Sequence, residues 1–437
     1  MQRFKFFSSS ISNTSHTVAL ASLLSFGTQV VFALLMLRWF TPQEVGEFSV
    51  ISQIAFFWMT LALAQAPLSL LVNHNQAAHQ EARRHWLSSM WRWCVLAPLA
   101  WLALWVSQLQ VLPALWWVVL IAVCQLSWGL AQSFVLRTGN TRQQLYVRVV
   151  PPVCSVLVAC VGSQFSEVTQ WQGPTLLLAA LLGYLVGSLW LVPAWFKHAD
   201  TQTSMTASKS MLNVSAVHRQ AVTETALNEP AASITPLQQA DNRSTFLRLT
   251  HTFCDVLLAT GVIIVWQRLY GAQETGWLSA FLRVFGFVPA VIHMAWAQVK
   301  LAQVKSSQPS QQVSDSSLRV GLFGCLSLVC IGIASLVALH MQWLDAQWQG
   351  IANYLWPLVL WQSSACLSAS VSHRPFQMGA ARQYSAFCIG IALLQIVLVF
   401  SPGIFNLGLS PQQHLLVFTL ISSMGLLALV KWMQGLR

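Results

Sequence analysis

The sequence predicts an all-α integral membrane protein with about twelve transmembrane helices, arranged as two parallel six-helix repeats around a central cavity. Three observations lead to this fold class. The composition is apolar, long apolar runs are spread along the whole chain, and one motif occurs twice at a separation of about half the chain.

The composition excludes an ordinary soluble domain. Of the 437 residues, 55% are hydrophobic and 8% are charged. Because a soluble domain usually carries about 25% charged residues, most of this chain lacks a water-facing surface. The apolar runs reach or approach the ~20 residues that cross a bilayer as a helix. They are continuous rather than alternating, which argues against a membrane β-barrel.

Twelve spans account for the apolar runs. Arg3 and Lys5 precede the first one, but the run is too long for a signal peptide and has no clear cleavage site, so we expect a retained helix. The fifth span is the weakest, because it is short and contains Pro151-Pro152. The predicted spans are 17–37, 48–72, 91–109, 112–135, 149–165, 174–195, 249–267, 276–299, 319–342, 351–372, 384–402 and 412–433.

The basic residues predict the orientation. The net charge of +11 suggests nucleic acid as one partner, but the distribution of charge argues against it. If both termini are cytoplasmic, 20 of the 23 basic residues fall on cytoplasmic segments, as the positive-inside rule expects. We therefore expect a multi-pass protein of the cell inner membrane, with basic groups near anionic lipid headgroups.

A repeated motif divides the chain. Residues 38–49 (RWFTPQEVGEFS) recur as residues 268–279 (RLYGAQETGWLS), with Arg, Gln, Glu, Gly and Ser at the same positions. A second match, at 139–143 and 379–383, supports the duplication with a shift of 240 residues. Six spans return the chain to the same side, so the repeats are parallel. A duplicated membrane bundle of this kind is typical of a transporter built from two halves.

The polar stretch between the two copies predicts the domain boundaries. Residues 196–247 are rich in Ser, Thr, Gln, Ala and Asn, which favours a flexible cytoplasmic linker. We expect an N-terminal six-helix bundle at 1–195 and a C-terminal bundle at 248–437.

Arg283 is the most informative candidate for a binding residue. It lies about seven residues into the eighth predicted span, roughly 10 Å below the outer surface. A charge at a helix centre costs ~2.5–3.5 kcal/mol on insertion scales, so such a residue normally faces a cavity or a partner. One interpretation is that Arg283 contacts an anion. The other is that it snorkels to the outer interface or pairs with Glu274. Its counterpart in the first repeat is Gln53, which is also polar.

Arg38 and Arg268 occupy the repeated motif at the outer ends of the first and seventh spans. The structural interpretation is that each cation offsets the dipole at the end of its helix. The functional interpretation places both at the outer mouth of a cavity.

Asp255 is the only carboxylate well inside a predicted span, with His251 one turn below it and His293 at a similar depth. A carboxylate in this position suggests a site that couples transport to a H⁺ or Na⁺ gradient. The alternative is a structural, hydrogen-bonded Asp, or one that pairs with Arg248.

Other polar residues carry no clear site. His74, His79 and His85 lie five and six residues apart, which does not give the i,i+4 spacing of a helical zinc site. We expect an interfacial amphipathic segment at 73–90, no metal and no cofactor. The nine cysteines all fall in predicted spans and are interpreted as packing residues.

Three short motifs and the six-plus-six plan resemble the polysaccharide-lipid flippases of the Wzx type, in the multidrug/oligosaccharidyl-lipid/polysaccharide transporter superfamily. The motifs are Phe26-Gly-Thr-Gln29, Arg38-x-Phe-x-Pro-x-Glu-x-Gly46 and Leu136-Arg-Thr-Gly-Asn140-x-Arg142. The resemblance implies two six-helix bundles in a V around a cationic cavity. It also implies alternating-access transport of undecaprenyl-pyrophosphate-linked oligosaccharide, such as O-antigen units destined for lipopolysaccharide, to the periplasmic leaflet.

By that resemblance the cavity arginines bind pyrophosphate or acidic sugars, and Arg283, Arg38 and Arg268 are the candidates. The expected partners are the lipid-linked oligosaccharide, membrane lipids, a polysaccharide polymerase and a chain-length regulator. A cation-coupled multidrug exporter of the same fold remains an alternative. A membrane polymerase or ligase is another, although such an enzyme needs a large extracytoplasmic loop, and none of the predicted outer loops exceeds about ten residues.

Overall fold

The computed structural model describes residues 24–25, 27–64, 66–72, 77–138, 141–165, 172–196, 242–297, 300 and 317–436. Most of the predicted linker 196–247 lies outside these residues. The described part is almost entirely helical and contains no strand, which confirms the predicted all-α membrane class.

The first half begins with the short apolar helix α1. The helices that follow are longer, apart from α3, α5 and a short segment at the end of α8. They are α1 (Gly27–Trp39), α2 (Pro42–Leu63), α3 (Ala66–Val72), α4 (Ala78–Val95), α5 (Ala97–Ser107), α6 (Val111–Thr138), α7 (Thr141–Phe165) and α8 (Gln172–Ser188), which leads into a 3-10 turn and α9 (Pro193–Phe196).

The second half begins with the longest helix of the chain, which continues into a π-helical segment at Ile292–Ala297. The helices are α10 (Asn242–Val291), α11 (Ser317–His340), α12 (Ala352–Val371), α13 (Arg374–Gln377), α14 (Ala381–Ile404) and α15 (Pro411–Gly435).

Each of the twelve predicted spans overlaps a helix among the described residues. Eight helices are long and apolar enough to cross a membrane, and the bent pair α4–α5 gives a ninth. One of the eight, Leu249–Val291, contains two predicted spans, because its backbone breaks at Gly271. The remaining two spans correspond to α1 and α12.

Gly271 divides α10 into two antiparallel limbs. Its backbone has φ 86° and ψ 178°, a conformation that residues with a Cβ rarely adopt. Thr260 on the first limb and Arg283 on the second both contact the middle of α2. Because these residues lie on opposite sides of Gly271, the chain must reverse direction there. We call the Gly271 end of the bundle the outer end, following the predicted topology.

The second span begins earlier than predicted, at Pro42 instead of residue 48. Thr41 and Glu44 explain the difference, because they form a capping box. The Glu44 N–H donates to Thr41 Oγ1 at 3.3 Å, and the Thr41 N–H donates to Glu44 Oε2 at 2.8 Å. A capping box of this kind satisfies two orphan donors of the first turn and fixes the start of the helix.

The third span also begins earlier, because α4 starts at Ala78, and it bends by 48° before α5. The prediction of a purely interfacial segment at 73–90 was therefore wrong for Glu81. This carboxylate is 2% exposed and pairs with Arg137 of α6 inside the first half. His85 lies 3.7 Å from Glu81 on the next turn and 3.0 Å from Ser69 of α3.

The fifth span is a continuous helix although Pro151 and Pro152 lie inside it. Both prolines are buried. Proline has no N–H, so Pro151 leaves the backbone carbonyl of Val147, four residues earlier, without its helical partner, and this carbonyl accepts a hydrogen bond from Trp128 Nε1 at 2.8 Å. Neighbouring groups that re-satisfy the backbone make proline acceptable in membrane helices.

Candidate functional site

The two copies of the repeated motif pack against each other at the outer end. Gly46 of α2 lies against the Ala272 carbonyl, and Gly276 of α10 lies against the Pro42 carbonyl. A Cβ at either glycine would overlap the opposing carbonyl group. The same shift of 230 residues relates Gly46 to Gly276 and Pro42 to Ala272. The glycines therefore let the two halves approach at backbone distance.

One turn deeper, the contact becomes polar. The hydroxyl of Ser49 lies 2.9 Å from that of Ser279, its counterpart in the repeat. Both side chains are nearly fully buried. Each hydroxyl also lies within hydrogen-bond distance of a carbonyl of its own helix, Val45 at 2.6 Å and Gly276 at 3.2 Å. The pair therefore joins the two halves without burying an unpaired polar group.

Arg38 and Arg268 each reach across to the opposite half. Arg38 Nη1 donates to the Trp343 carbonyl at 2.9 Å, just beyond the end of α11. Arg268 Nη1 donates to the Val106 carbonyl at 3.2 Å, near the end of α5. Trp348 Nε1 adds a further bond to the Phe40 carbonyl at 3.2 Å. Each arginine was predicted to interact with the end of its own helix. Its observed hydrogen bond goes instead to a carbonyl of the opposite half.

Arg283 lies below this contact. It is twelve residues beyond Gly271, about 18 Å along the second limb of α10. Its Nη2 donates to Ser49 Oγ at 3.2 Å and to Ser52 Oγ at 3.3 Å.

The surroundings of Arg283 are neutral. Its Cζ lies 4.6 Å from the centre of the Phe48 ring, over the ring face. The phenol of Tyr184 on α8 is close enough to interact with it electrostatically. Among the described residues no carboxylate lies within ion-pair distance, so the predicted alternative of pairing with Glu274 is not observed.

A guanidinium carries five N–H donors, and the two serines engage only one of its three nitrogens. A buried charge is normally paired, because desolvation is otherwise costly. The arrangement therefore has the capacity to bind an anion between the halves.

Gln53 lies on the turn of α2 that follows Ser49. Its backbone carbonyl is 3.5 Å from the Thr260 hydroxyl of the first limb of α10. Its side chain is half-buried. The two repeat counterparts, Gln53 and Arg283, thus both lie where the halves meet, with Ser49 and Ser52 bonded to the arginine.

Asp255 and His251 form a pair one turn apart on the first limb of α10. The Asp255 carboxylate lies 3.3 Å from His251 Nε2, and its side chain is 55% exposed. The structure therefore shows a partly exposed Asp255 beside His251, and not the buried structural Asp of the alternative prediction. The side chain of Arg248, the other predicted partner, lies outside the described residues. His293 in the π-helical segment lies 3.2 Å from Ser372 Oγ, at the end of α12.

A polar network in the second half had no sequence signal. Glu274 is the repeat counterpart of Glu44, but it accepts a hydrogen bond from Tyr354 instead of capping a helix. The Tyr354 hydroxyl also accepts one from Trp266 Nε1 at 3.3 Å. Trp266 stacks on His414, whose Nδ1 lies 3.0 Å from the Tyr270 hydroxyl. Single aromatic residues in apolar runs do not indicate such contacts.

Comparison with known proteins gives a fold but no sequence family. No protein-family model matches the chain, and no curated protein matches it by sequence. Among solved structures, a lipid II flippase MurJ in an inward closed conformation superposes with a TM-score of 0.66 at 12% identity, over 97% of this chain and 88% of that one. The chain therefore has the fold of that protein.

Two structures of a multidrug resistance MATE family transporter of the MOP superfamily also align with the chain. The inward-facing one has a TM-score of 0.47 at 11% identity, and the outward-facing one has 0.47 at 12% identity. Both alignments cover 97% of this chain, and they cover 93% and 96% of the respective structures.

Proposed function

We propose that the chain is a flippase of the inner membrane. It moves undecaprenyl-pyrophosphate-linked oligosaccharide repeat units of a surface polysaccharide, such as O-antigen, from the cytoplasmic to the periplasmic leaflet. The observation that carries the proposal is Arg283, a cation on an apolar helix between the two halves whose partners among the described residues are neutral.

The chemistry of Arg283 suits a pyrophosphate. A guanidinium presents its donors as a planar fork, which matches the oxygens of a phosphate group and gives two parallel hydrogen bonds. Ser49 and Ser52 hold one edge of the fork, and Phe48 covers one face. The remaining donors are then available to the substrate. Arg38 and Arg268, nearer the outer end, are proposed as its later contacts.

The contacts at the outer end support alternating access. They are short, and both halves contribute donors and acceptors. Among the described residues these contacts include no ion pair, and at the glycines backbone meets backbone without large interdigitating side chains. A neutral hydrogen bond contributes only about 0.5–1.5 kcal/mol and one from a charged donor about 1.5–3 kcal/mol, so the closure is strong as a set and reversible. Parting of α2 from α10 would expose Arg283 to the periplasmic side.

Asp255 and His293 are the proposed coupling groups. The Asp255–His251 pair is half-exposed at the inner part of α10 and has the chemistry of a proton or sodium site. Protonation of Asp255 would weaken its attraction to His251. We propose that this step links the H⁺ or Na⁺ gradient to the movement of the first limb of α10.

Two other functions make different predictions. A multidrug exporter needs an acidic site for cationic drugs, and in the described part of the chain only Asp255 offers a carboxylate of this kind at mid-helix. A solved structure with the same fold is a lipid II flippase, which favours a flippase over a drug exporter. A polymerase or ligase needs catalytic groups that the arrangement around Arg283 does not supply.

The test is complementation in a strain that lacks the gene. Deletion should trap lipid-linked repeat units in the cytoplasmic leaflet and abolish the surface polysaccharide. Arg283→Ala should fail to restore it, and Arg283→Lys should restore part, since a lysine keeps the charge and loses the fork. Arg319→Ala, at the exposed start of α11, is the matched control and should behave as the wild type.

Unchanged surface polysaccharide in the deletion strain would refute the proposal. Equal activity of Arg283→Ala and the wild type would remove Arg283 from the mechanism. Rescue of a strain that lacks its lipid II flippase, with no effect on surface polysaccharide, would assign the chain to peptidoglycan synthesis instead.

A further inference from the structure

A cavity of ≈ 680 Å³ lies beside α1 at the outer end, apart from the contacts of Arg283. Its walls come from α1, the second limb of α10 and α11, and residues 342–344 close its outer end. Both halves of the protein therefore contribute to it. Its volume is within the 300–1,000 Å³ range of sites that bind small molecules.

The walls are mostly apolar, and the hydroxyl of Ser335 on α11, a polar residue below the outer end, donates to the Ile331 carbonyl at 2.8 Å. Phe281 and Val284 of α10, Ile331 of α11 and Leu34 of α1 line the deeper part. Arg38 is the only charged residue among those that line the cavity. Its Nη1 holds the Trp343 carbonyl, which leaves donors on its other nitrogens facing the outer surface.

The lining of the cavity extends along the helices. On α11 it runs from Ile331 to Leu339, about 12 Å of helix at 1.5 Å per residue. Arg38 lies at the outer end, and the apolar part of the lining extends from there towards the inner part of α11. This polarity matches an amphiphile of the outer leaflet, with an anionic head and an apolar chain.

The rim of the cavity is open to the bilayer. Leu34 is 53% exposed, Trp343 is 70% exposed and Val337, beside the lining residues, is 50% exposed. Exposed apolar side chains at membrane depth face lipid chains. A lipid can therefore reach the cavity from the side, without crossing the protein.

The position of the cavity relates it to the anion site. Val284, which lines the cavity, is the residue after Arg283, whose guanidinium points to α2 on another face of the same helix. The two sites thus lie on different faces of the same turn of α10. A substrate with its pyrophosphate at Arg283 would have its apolar chain next to this cleft between α1 and α10.

We propose that the cavity binds the polyprenyl chain of the transported lipid on the outer side, with its phosphate at Arg38. This proposal rests on the proposed function and extends it to a lateral exit site. A polyprenyl phosphate suits the cavity better than a phospholipid. It has a single chain for a single elongated cavity, and a phosphate group that a guanidinium fork binds through two parallel hydrogen bonds.

The experiment is photolabelling of the purified full-length protein in nanodiscs with a diazirine-bearing polyprenyl phosphate. Labelled peptides should map to α1, the second limb of α10 and α11. Ala338→Trp, which fills the cavity, should reduce labelling by about tenfold, which corresponds to ~1.4 kcal/mol of binding free energy. Leu326→Trp, an exposed position on α11 outside the lining and away from the rim, should label as the wild type does.

The headgroup contact is tested with two probes. The wild type should prefer the polyprenyl phosphate to the uncharged polyprenol, and Arg38→Gln should bind both equally. An excess of unlabelled polyprenyl phosphate should compete, and phosphatidylglycerol should not. Equal competition by phosphatidylglycerol would overturn the proposal, because it would make the cavity a general site for anionic lipids.

Failure of this proposal is distinguishable from failure of the proposed function. If Arg283→Ala abolishes export while the cavity still labels, both proposals stand. If Ala338→Trp leaves labelling and export unchanged, the cavity is not the exit site, whatever the chain transports. If the cavity labels as expected but deletion leaves surface polysaccharide unchanged, the proposed flippase function is refuted. The cavity is then a lipid-binding site without a role in polysaccharide export.

Discussion

The hydroxyl groups of Ser49 and Ser279 lie 2.9 Å apart, although 230 positions separate them in the chain. The same shift relates the two copies of the repeated motif, so Ser49 meets its own counterpart, and Gly46 and Gly276 each meet the equivalent carbonyl of the other copy. A contact of this kind is isologous, like the interface of a twofold dimer. The two halves therefore close the outer end with the same surface, and a change in one copy alters one side of a paired contact.

The glycine contact should be intolerant of a methyl group. Gly46→Ala or Gly276→Ala places a Cβ against a backbone carbonyl that cannot rotate away. Overpacking of this kind costs about 1–3 kcal/mol, and it should shift the protein towards outer-open states. The check is labelling of a cysteine at position 40, 5% exposed in the closed form, by a membrane-impermeant maleimide. Gly286→Ala, with open space around its Cβ, is the control and should not increase labelling.

A cysteine pair should lock the closed state. Ser49→Cys with Ser279→Cys, in a background without the native cysteines, places two thiols where the hydroxyls now touch. Their geometry is suited to a disulfide, for which the Cβ atoms must lie about 3.5–4.5 Å apart. Oxidation should stop transport, and a reductant should restore it. If the oxidised pair transports at the rate of either single variant, the contact does not open during the cycle.

Loss of both cross-half arginines should loosen the outer end more than loss of one. Arg38→Gln and Arg268→Gln each remove one hydrogen bond from a charged donor to the opposite half, worth about 1.5–3 kcal/mol. The double variant should add these effects, because the two bonds share no partner. Spin-label distances across the outer end would measure the shift. Arg319→Gln, at the opposite end of α11, should leave the distances unchanged.

Glu81 should be important for stability and not for transport itself. It is buried against Arg137, and Glu81→Gln leaves that guanidinium without its carboxylate. Removal of one partner of a buried pair costs about 3–5 kcal/mol, so the unfolding midpoint in detergent should fall clearly. Glu47→Gln, which loses only an exposed bond to Gln43, is the comparison. Replacing both Glu81 and Arg137 by Gln should recover part of the loss.

The fold class could be predicted because membrane helices require long apolar runs, and those runs are visible in the sequence. The ends of the helices were harder to predict. Hydropathy begins the second span at residue 48, whereas the capping box of Thr41 and Glu44 begins the helix six residues earlier. A cap depends on side-chain hydrogen bonds, which a hydropathy pattern does not contain.

The candidate site was predicted in part. The depth of Arg283 indicated an unusual residue, and the repeat indicated Gln53 as its counterpart. The sequence did not show that Ser49 and Ser52 would bond to it, since that depends on which face of α2 meets α10. A repeat predicts that two segments have similar local structure. It does not predict that they touch, so the contact of Gly46 with the second copy required the structure.

The acceptors of the two cross-half arginines are the main-chain carbonyls of Trp343 and Val106. A carbonyl is present whichever side chain a mutation introduces, so genetic drift at 106 and 343 leaves each bond intact. A substitution of Arg38 or Arg268 removes the hydrogen bond. In a saturation library selected for transport, we expect positions 106 and 343 to accept many residues and the two arginines to accept few. Natural selection on this closure would then act on only one side of each contact.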